Sequence, residues 1–263
     1  MRISERIAKL IIEACVQGST MEYCPEQSHG ECDFILHLAN GDQALVEVTE
    51  SVDQNQRLIY DKILSTKEGG PVVEAKKCRK SWIIVPTKNA QIAKIRARAD
   101  DYLSTLEKGD IETFNRWFPT TQTVERICND LFLVNGSAIC TEGPPKIHIL
   151  LPGGDGGWVS PVVAIAAAEK EASKIDNRQK LGFAKTQQRH LAVYVDVTNG
   201  AWAVLKACKP PSTLPKLPAE ITHIWLISYS GASKDEFVVW RASTQERWYG
   251  QRVVIPQDER KAS

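Results

Sequence analysis

The sequence predicts an α/β protein with a mixed sheet flanked by helices. Segments of helical periodicity interleave with segments of strand character along the whole chain. Several strand segments alternate apolar and polar residues, whereas SWIIVP is a continuous apolar run, the pattern of a strand covered on both faces. The length of 263 residues, with 43% apolar and 25% charged content, fits a globular chain of one elaborate domain or two compact ones.

Residues 3–17 read as an amphipathic helix. Ile3, Ile7, Leu10, Ile11 and Ala14 recur on one side, and Arg6, Lys9 and Glu13 oppose them. Gly18 and Ser19 end it, and residues 19–32 are turn-rich. In DFILHL, alternation sets Asp33, Ile35 and His37 on one face. Asn40-Gly41-Asp42 is a hairpin turn, because Asn-Gly tolerates positive φ. The partner strand ALVEVTES carries Leu45, Glu47 and Thr49 on one face and Val46 and Val48 on the other. A helix capped by Ser51 or Asp53 runs to about Ser65, with Gln56 and Tyr60 beside an Ile59–Ile63 face. A Gly-Gly-Pro turn and a basic loop lead to SWIIVP and then to a helix over 88–107.

Beyond Gly109 the pattern restarts. IETFNRWF and TVERICNDL read as short helices. LFLV, SAIC and KIHILLP read as short strands broken by Asn135-Gly136 and Gly143-Pro144-Pro145. GGDGGW precedes a long helix over 161–184. HLAVYVDV, HIWLISY and FVVWRAS are further strands, with NGAWAVLKAC helical between the first two. This order sets an expected division into a domain over 1–108 and a second α/β domain, or an extension of the same sheet, over 109–263.

Composition excludes several classes. No apolar run approaches the roughly 18–20 residues of a spanning helix. The N-terminus alternates charge with apolar residues and lacks a signal-peptide core, so a cytoplasmic protein without a membrane partner is expected. Seven scattered cysteines argue for reduced thiols and against a disulfide framework. Cys24, His29 and Cys32 form the one tight cluster, but a zinc site wants four ligands and no second pair exists. GGDGGW lacks the spacing and the Lys-Ser/Thr of a phosphate-binding loop, which argues against an ATP site. Arg189-His190 at a strand mouth, His148 and His223 within strands, and Trp82 beside the basic loop read as structural residues first.

The net charge of +1 hides a segregation. Between Leu10 and Gln56 there is no Lys or Arg but nine acids, and from Arg57 to Arg98 eleven bases face three acids. Gathered carboxylates can hold a hard divalent cation, and bases folded beside them can hold phosphates. Lys76, Lys77, Arg79 and Lys80 are the candidates for the second task. Two solvated faces of opposite sign are the plain alternative.

Asp33 and Glu47 converge if the hairpin register sets them on one face, and carboxylates converging on a cation are what metal-assisted phosphodiester hydrolysis needs. This arrangement resembles the PD-(D/E)XK nuclease superfamily. Its motif is an Asp, a variable gap and E-x-K on the next strand, in a restriction-endonuclease-like core of helix, three strands, helix, strand. The resemblance covers residues 1–87 and implies a nuclease acting on DNA through Mg2+ or Mn2+, with Asp33 and Glu47 as metal ligands. Relatives often add an acid from a helix; Glu13 is the one weighed for that place, and it points away from its helix's apolar stripe. Gln56-x-x-x-Tyr60 resembles the Q-x-x-x-Y of RecB-like exonucleases, one turn apart on a helix lying over the site.

Position 49 is Thr where the superfamily has the lysine that orients the attacking water and balances transition-state charge. Thr49 can position water. Arg57 or Lys62 on the following helix is expected to supply the charge, as migrated lysines do in the superfamily. The competing expectation is an inactive module of this fold that binds nucleic acid or a protein partner in a bacterial defence or mobile-element system. The expected partners are DNA and a second copy of the chain in a homodimer. SWIIVP, NRQKLGFA, RHLAVYVD and VVWRAS are also similar to a group of bacterial proteins that share an E-V/L-T strand, a resemblance that implies no activity.

Overall fold

A computed structural model describes residues 1–25, 32–151, 160–182, 186–207 and 209–260. The chain divides into two compact units, one of residues 1–52 with 157–263 and one of residues 53–156. The second is therefore an insertion in the first. Before the insertion come α1 (Ile3–Cys15), β1 (Thr20–Tyr23), β2 (Phe34–His37) and β3 (Gln43–Ser51). The insertion holds α2 (Gln54–Leu64), β4 (Val72–Glu74), β5 (Ser81–Pro86), α3 (Ile92–Lys108), β6 (Thr113–Asn115), α4 (Gln122–Leu131), β7 (Leu133–Ile139) and β8 (Lys146–Ile149). The first unit resumes with α5 (Pro161–Ala172), α6 (Ile175–Gly182), β9 (Gln188–Val195), α7 (Gly200–Ala207), β10 (His223–Tyr229), β11 (Glu236–Ser243) and β12 (Tyr249–Val254). The protein is α/β, with a seven-stranded and a five-stranded mixed sheet among the described residues.

The large sheet runs β1-β2-β3-β9-β10-β11-β12. Its first three strands form an antiparallel meander, closed at the β2–β3 turn by Gly41 at φ 88°. β3, β9 and β10 are mutually parallel, and β11 and β12 return antiparallel. The central strands are apolar on both sides because helices cover both faces. On one face α1 sets Ile7, Ala8, Ile11 and Ile12 among Val46, Val48, Ala192 and Trp225. On the other, α5, α6 and α7 bring Ala164, Ala168, Leu181 and Val204 to Leu191, Val193, Leu226 and Trp240.

The inserted unit has its own sheet, β4-β8-β5-β7-β6, and its own core of Ile63, Trp82, Ile84, Ile95, Leu103, Ile127 and Leu133. IETFNRWF does not form the expected helix. Phe114 is its one buried apolar residue, sitting in short strand β6 paired with β7. Nor does Asn135-Gly136 break β7, which runs through it, because the bare face of Gly136 receives the Phe114 ring. A Cβ at Gly136 would lie 2.4 Å from Phe114 Cε1. The helix expected over 161–184 is divided between α5 and α6.

The unit boundaries differ from the 1–108 and 109–263 division read from sequence. The reason is the β3–β9 ladder, which pairs Ala44 with Gln188 and continues to Ser51 with Val195. The strand that follows the meander in the sheet is thus β9, not the earlier apolar run Ser81–Pro86. Once the insertion is passed over, the first unit runs helix, three strands, two helices (α5 and α6), strand. No helix among the described residues is long and apolar enough to cross a membrane.

Gly136→Ala should destabilise the protein by about 1–3 kcal/mol, the usual cost of overpacking a filled contact. Denaturant unfolding followed by circular dichroism measures this, and an unchanged midpoint would contradict the Gly136–Phe114 packing.

Candidate functional site

Asp33 immediately precedes β2. The register Phe34 with Val46, continued by one residue, sets Asp33 opposite Glu47 on the neighbouring strand. Directly opposed side chains share a face, with Cβ atoms roughly 5 Å apart. Both are buried, Asp33 at 6% and Glu47 at 2% exposure. Asp33 Oδ2 accepts the Val48 N–H at 2.7 Å. Glu47 Oε1 accepts from Lys180 Nζ at 2.8 Å, while Glu47 Oε2 is buried with no hydrogen-bond partner among the described residues.

Lys180 comes from α6, on the return from the insertion, 133 residues beyond Glu47. β3 and β9 lie side by side, and α6 packs over them through buried Leu181. The ammonium is itself largely buried, with 19% of its side chain exposed. Burial works against its charge, but the hydrogen bond and charge of Glu47 outweigh that and raise its pKa.

Two further groups face Asp33 from the start of α1. Arg2 Nη2 lies 3.7 Å from Asp33 Oδ2 and donates to the Val48 carbonyl at 3.3 Å. Buried Glu5 accepts the Arg2 backbone N–H at 2.6 Å and pairs with the Arg2 Nε, closing a capping box. The acids remain incompletely balanced. Burial, then the charge of Asp33, pushes Glu47 up to about 7, against the pull of Lys180. Burial also raises Asp33; the Val48 hydrogen bond opposes this, Glu5 adds to it, and Lys180 and Arg2 oppose it.

Thr49 shares the Glu47 face, and its hydroxyl donates to Glu171 Oε2 of α5 at 3.4 Å. Glu171 is buried and paired with Lys174. Arg57, Lys62, Gln56 and Tyr60 all sit on α2, which belongs to the inserted unit and buries Ile59 and Ile63 in that unit's core. Arg57 and Lys62 are exposed there, and Gln56 donates its N–H to the Asp53 cap. The base hydrogen-bonded to Glu47 is Lys180. Sequence spacing pointed to the next helix in the chain, whereas Lys180 lies on the second helix of the first unit beyond the insertion.

The basic loop is tied to acids of α3. Asp100 accepts the N–H groups of Lys76, Lys77 and Cys78, and Glu107 accepts those of Arg79 and Lys80. Lys77 also pairs with Asp101, Arg79 with Glu107 and Lys80 with Glu112, so three of its four side-chain charges are locally balanced. Trp82 is fully buried with its Nε1–H on Glu107, which closes its ring to a base. Glu13 takes the Met21 N–H at 2.6 Å and fastens α1 to β1; the helix acid beside Asp33 is Glu5. Arg189 donates to the Ala219 carbonyl, and His190 is buried. His29 and the GGDGGW loop lie outside the described residues, and the thiol of Cys32 is pushed up to about 12 by burial.

Sequence reading missed Lys180, Glu5 and Arg2. The Arg2–Glu5 spacing is a usable signal for a helix start, but nothing local marks Lys180. Among the described residues no three His, Cys, Asp or Glu side chains converge as a metal cluster. Comparison of the chain with protein-family models, curated proteins and solved structures finds no match.

Glu47 holds its proton more tightly in the folded state, near 7, than at the ordinary value of 4.5. Between those values the folded state binds more protons than the unfolded, so stability falls as pH rises through the window. The unfolding free energy should decline from pH 5 to pH 7.5, and Glu47→Gln should flatten that decline. An equal slope in the variant would contradict the assignment.

Proposed function

We propose that the first unit is a nuclease-like domain that hydrolyses phosphodiesters of nucleic acid, DNA in the first instance, at Asp33 and Glu47. The observation that carries this reading is the Lys180–Glu47 contact at 2.8 Å beside the unpartnered Glu47 Oε2. It puts two buried acids and one lysine together, the complement that the E-x-T sequence alone lacks. The order helix, three strands, two helices, strand, one helix more than the superfamily's core, supports the same reading.

The residues fit Mg2+ or Mn2+. Glu47 offers a buried oxygen without a donor, both carboxyls are held above their ordinary pKa by burial first and by neighbouring acids second, and Mg2+ typically takes one or two carboxylates and completes its shell with water and phosphate. Bound there, the cation would supply an activated water and neutralise charge developing on the phosphate. The chain supplies the rest. The Val48 N–H fixes Asp33, leaving its other oxygen for the site. Lys180 orients Glu47 through Oε1 and holds a positive charge where the superfamily's motif lysine would act. Thr49, bonded to Glu171, steadies α5 against β3.

One observation favours the second reading, a module that binds without cleaving: the Arg2 guanidinium stands against Asp33 and the Val48 carbonyl, a position useful to a cation. Cleavage assays with Mg2+ and Mn2+ on linear, circular and single-stranded DNA and on RNA separate the two. Cleavage by the wild type should fall by at least about 100-fold in Lys180→Met, the scale of losing one charge-stabilising donor. Loss on Arg57→Ala or Lys62→Ala with full activity in Lys180→Met would return the role to α2. An inert wild type that shifts nucleic acid with a steep salt dependence would establish the binding module.

A further inference from the structure

The opposite face of the large sheet carries a second polar site. Along β9, residues alternate between faces, and His190 pairs with Val46 while Leu191 pairs with Glu47. His190 therefore faces α1, with the sheet between it and the acids. Near the start of β9 and β10 and the end of β11 lies a cavity of about 140 Å3. Its polar lining is Gln188, His190, His223, Arg241 and Glu246, with Trp225 as its aromatic wall.

Arg241 is held for a ligand. Its guanidinium lies over Trp225 at 5.6 Å and over Tyr249 at 5.4 Å from the ring centroids. Trp225 is fixed in turn, its Nε1–H donating to His190 Nδ1 at 3.4 Å. Among the described residues no acceptor takes the N–H groups of Arg241, although it is only half exposed. A stacked guanidinium leaves its N–H edge open for bidentate contact with an oxyanion.

The histidines set which oxyanion. His190 is satisfied at both nitrogens, by Trp225 and by Gln188 at 3.3 Å. His223 Nδ1 meets Thr222 Oγ1 at 2.9 Å, and that hydroxyl already donates to the Arg189 carbonyl at 3.1 Å. With the hydroxyl hydrogen on the Arg189 carbonyl, His223 carries its proton on Nδ1 and presents Nε2 as an acceptor. Burial, opposed by Glu246 and aided by Arg241, lowers the pKa of this ring. Glu246, exposed on the β11–β12 turn, is a second acceptor at the rim.

A guanidinium edge beside two acceptors suits an anion that carries its own proton. We infer that this pocket binds a singly protonated phosphate group, two oxygens on Arg241 and the P–OH on His223 Nε2. Sulfate, which has no proton at neutral pH, meets two acceptors it cannot satisfy. The volume holds on the order of five waters and lies well below the roughly 300 Å3 of sites for larger ligands, which limits the occupant to the phosphate group itself. Free phosphate and the terminal phosphate of an oligonucleotide share this chemistry. The inference does not depend on the acids of the other face.

Titration calorimetry at pH 7 in a phosphate-free buffer tests it with inorganic phosphate and with sulfate. One saturable phosphate site is expected, with sulfate at least about tenfold weaker. Arg241→Gln should abolish binding, and His223→Phe should erase the preference for phosphate. Each variant is checked for folding by circular dichroism, and exposed Glu246→Gln, which should narrow the preference, serves if either fails to fold. Competition by a 5′-phosphorylated but not a 5′-hydroxyl oligonucleotide would assign the site to a strand end; no competition by either would assign it to free phosphate. Equal affinity for sulfate, binding that survives Arg241→Gln, or no phosphate binding by folded wild type would overturn the inference.

Discussion

The parallel pairing of β3 with β9 is the contact on which the molecule depends. It joins two stretches of chain separated by the whole inserted unit, from Ala44 with Gln188 to Ser51 with Val195. Closing so long a loop costs only modestly more than closing a short one, because the entropy grows logarithmically with length. The ladder repays that cost by burying both faces of β9, with Leu191, Val193 and Val195 against α5–α7 and Ala192 under α1. An insertion at the end of β3 can therefore fold around its own core and leave the sheet of the first unit intact.

The same pairing assembles the acid site. The β2–β3 hairpin alone sets Asp33 beside Glu47, two buried carboxylates that repel one another and resist ionisation. β9 brings α6 down over that hairpin, and with it Lys180. The lysine works against both burial and the charge of Asp33, yet Glu47 still lies near 7 and keeps one oxygen unpartnered. Removing one partner of such a buried pair would leave the other charge uncompensated, the costly case for buried ions. Arg2 and Glu5 close the other side from the start of α1, so the electrostatics draw on three separate segments of the chain.

What was legible in the sequence was local. The 3.6-residue stripe of Ile7 and Ile11 marks α1, Asn40-Gly41 marks the hairpin, and period-two alternation places Glu47 and Thr49 on one face. Those signals contain Asp33 and Glu47. Edge strands β1 and β12 were not legible, because TMEY and YGQRVV are half polar and take their strand form from a neighbour. Phe114 looks helical in its window and becomes a strand residue only because Gly136 receives its ring. Lys180 was hidden for a topological reason. Gln56, Arg57, Tyr60 and Lys62 follow Glu47 closely in sequence, yet α2 buries its apolar face in the core of the other unit. Pairing partners more than a hundred residues apart leave no periodic trace in either strand.

The central claim is that Asp33 and Glu47 form one cation site completed by Lys180. Paramagnetic broadening of amide resonances by Mn2+ tests it most directly, without requiring turnover or knowledge of the substrate. The account predicts saturable broadening centred on Asp33, Glu47 and Val48, displaced by Mg2+ and lost in Glu47→Gln. Broadening centred elsewhere, or unchanged in Glu47→Gln, would contradict it.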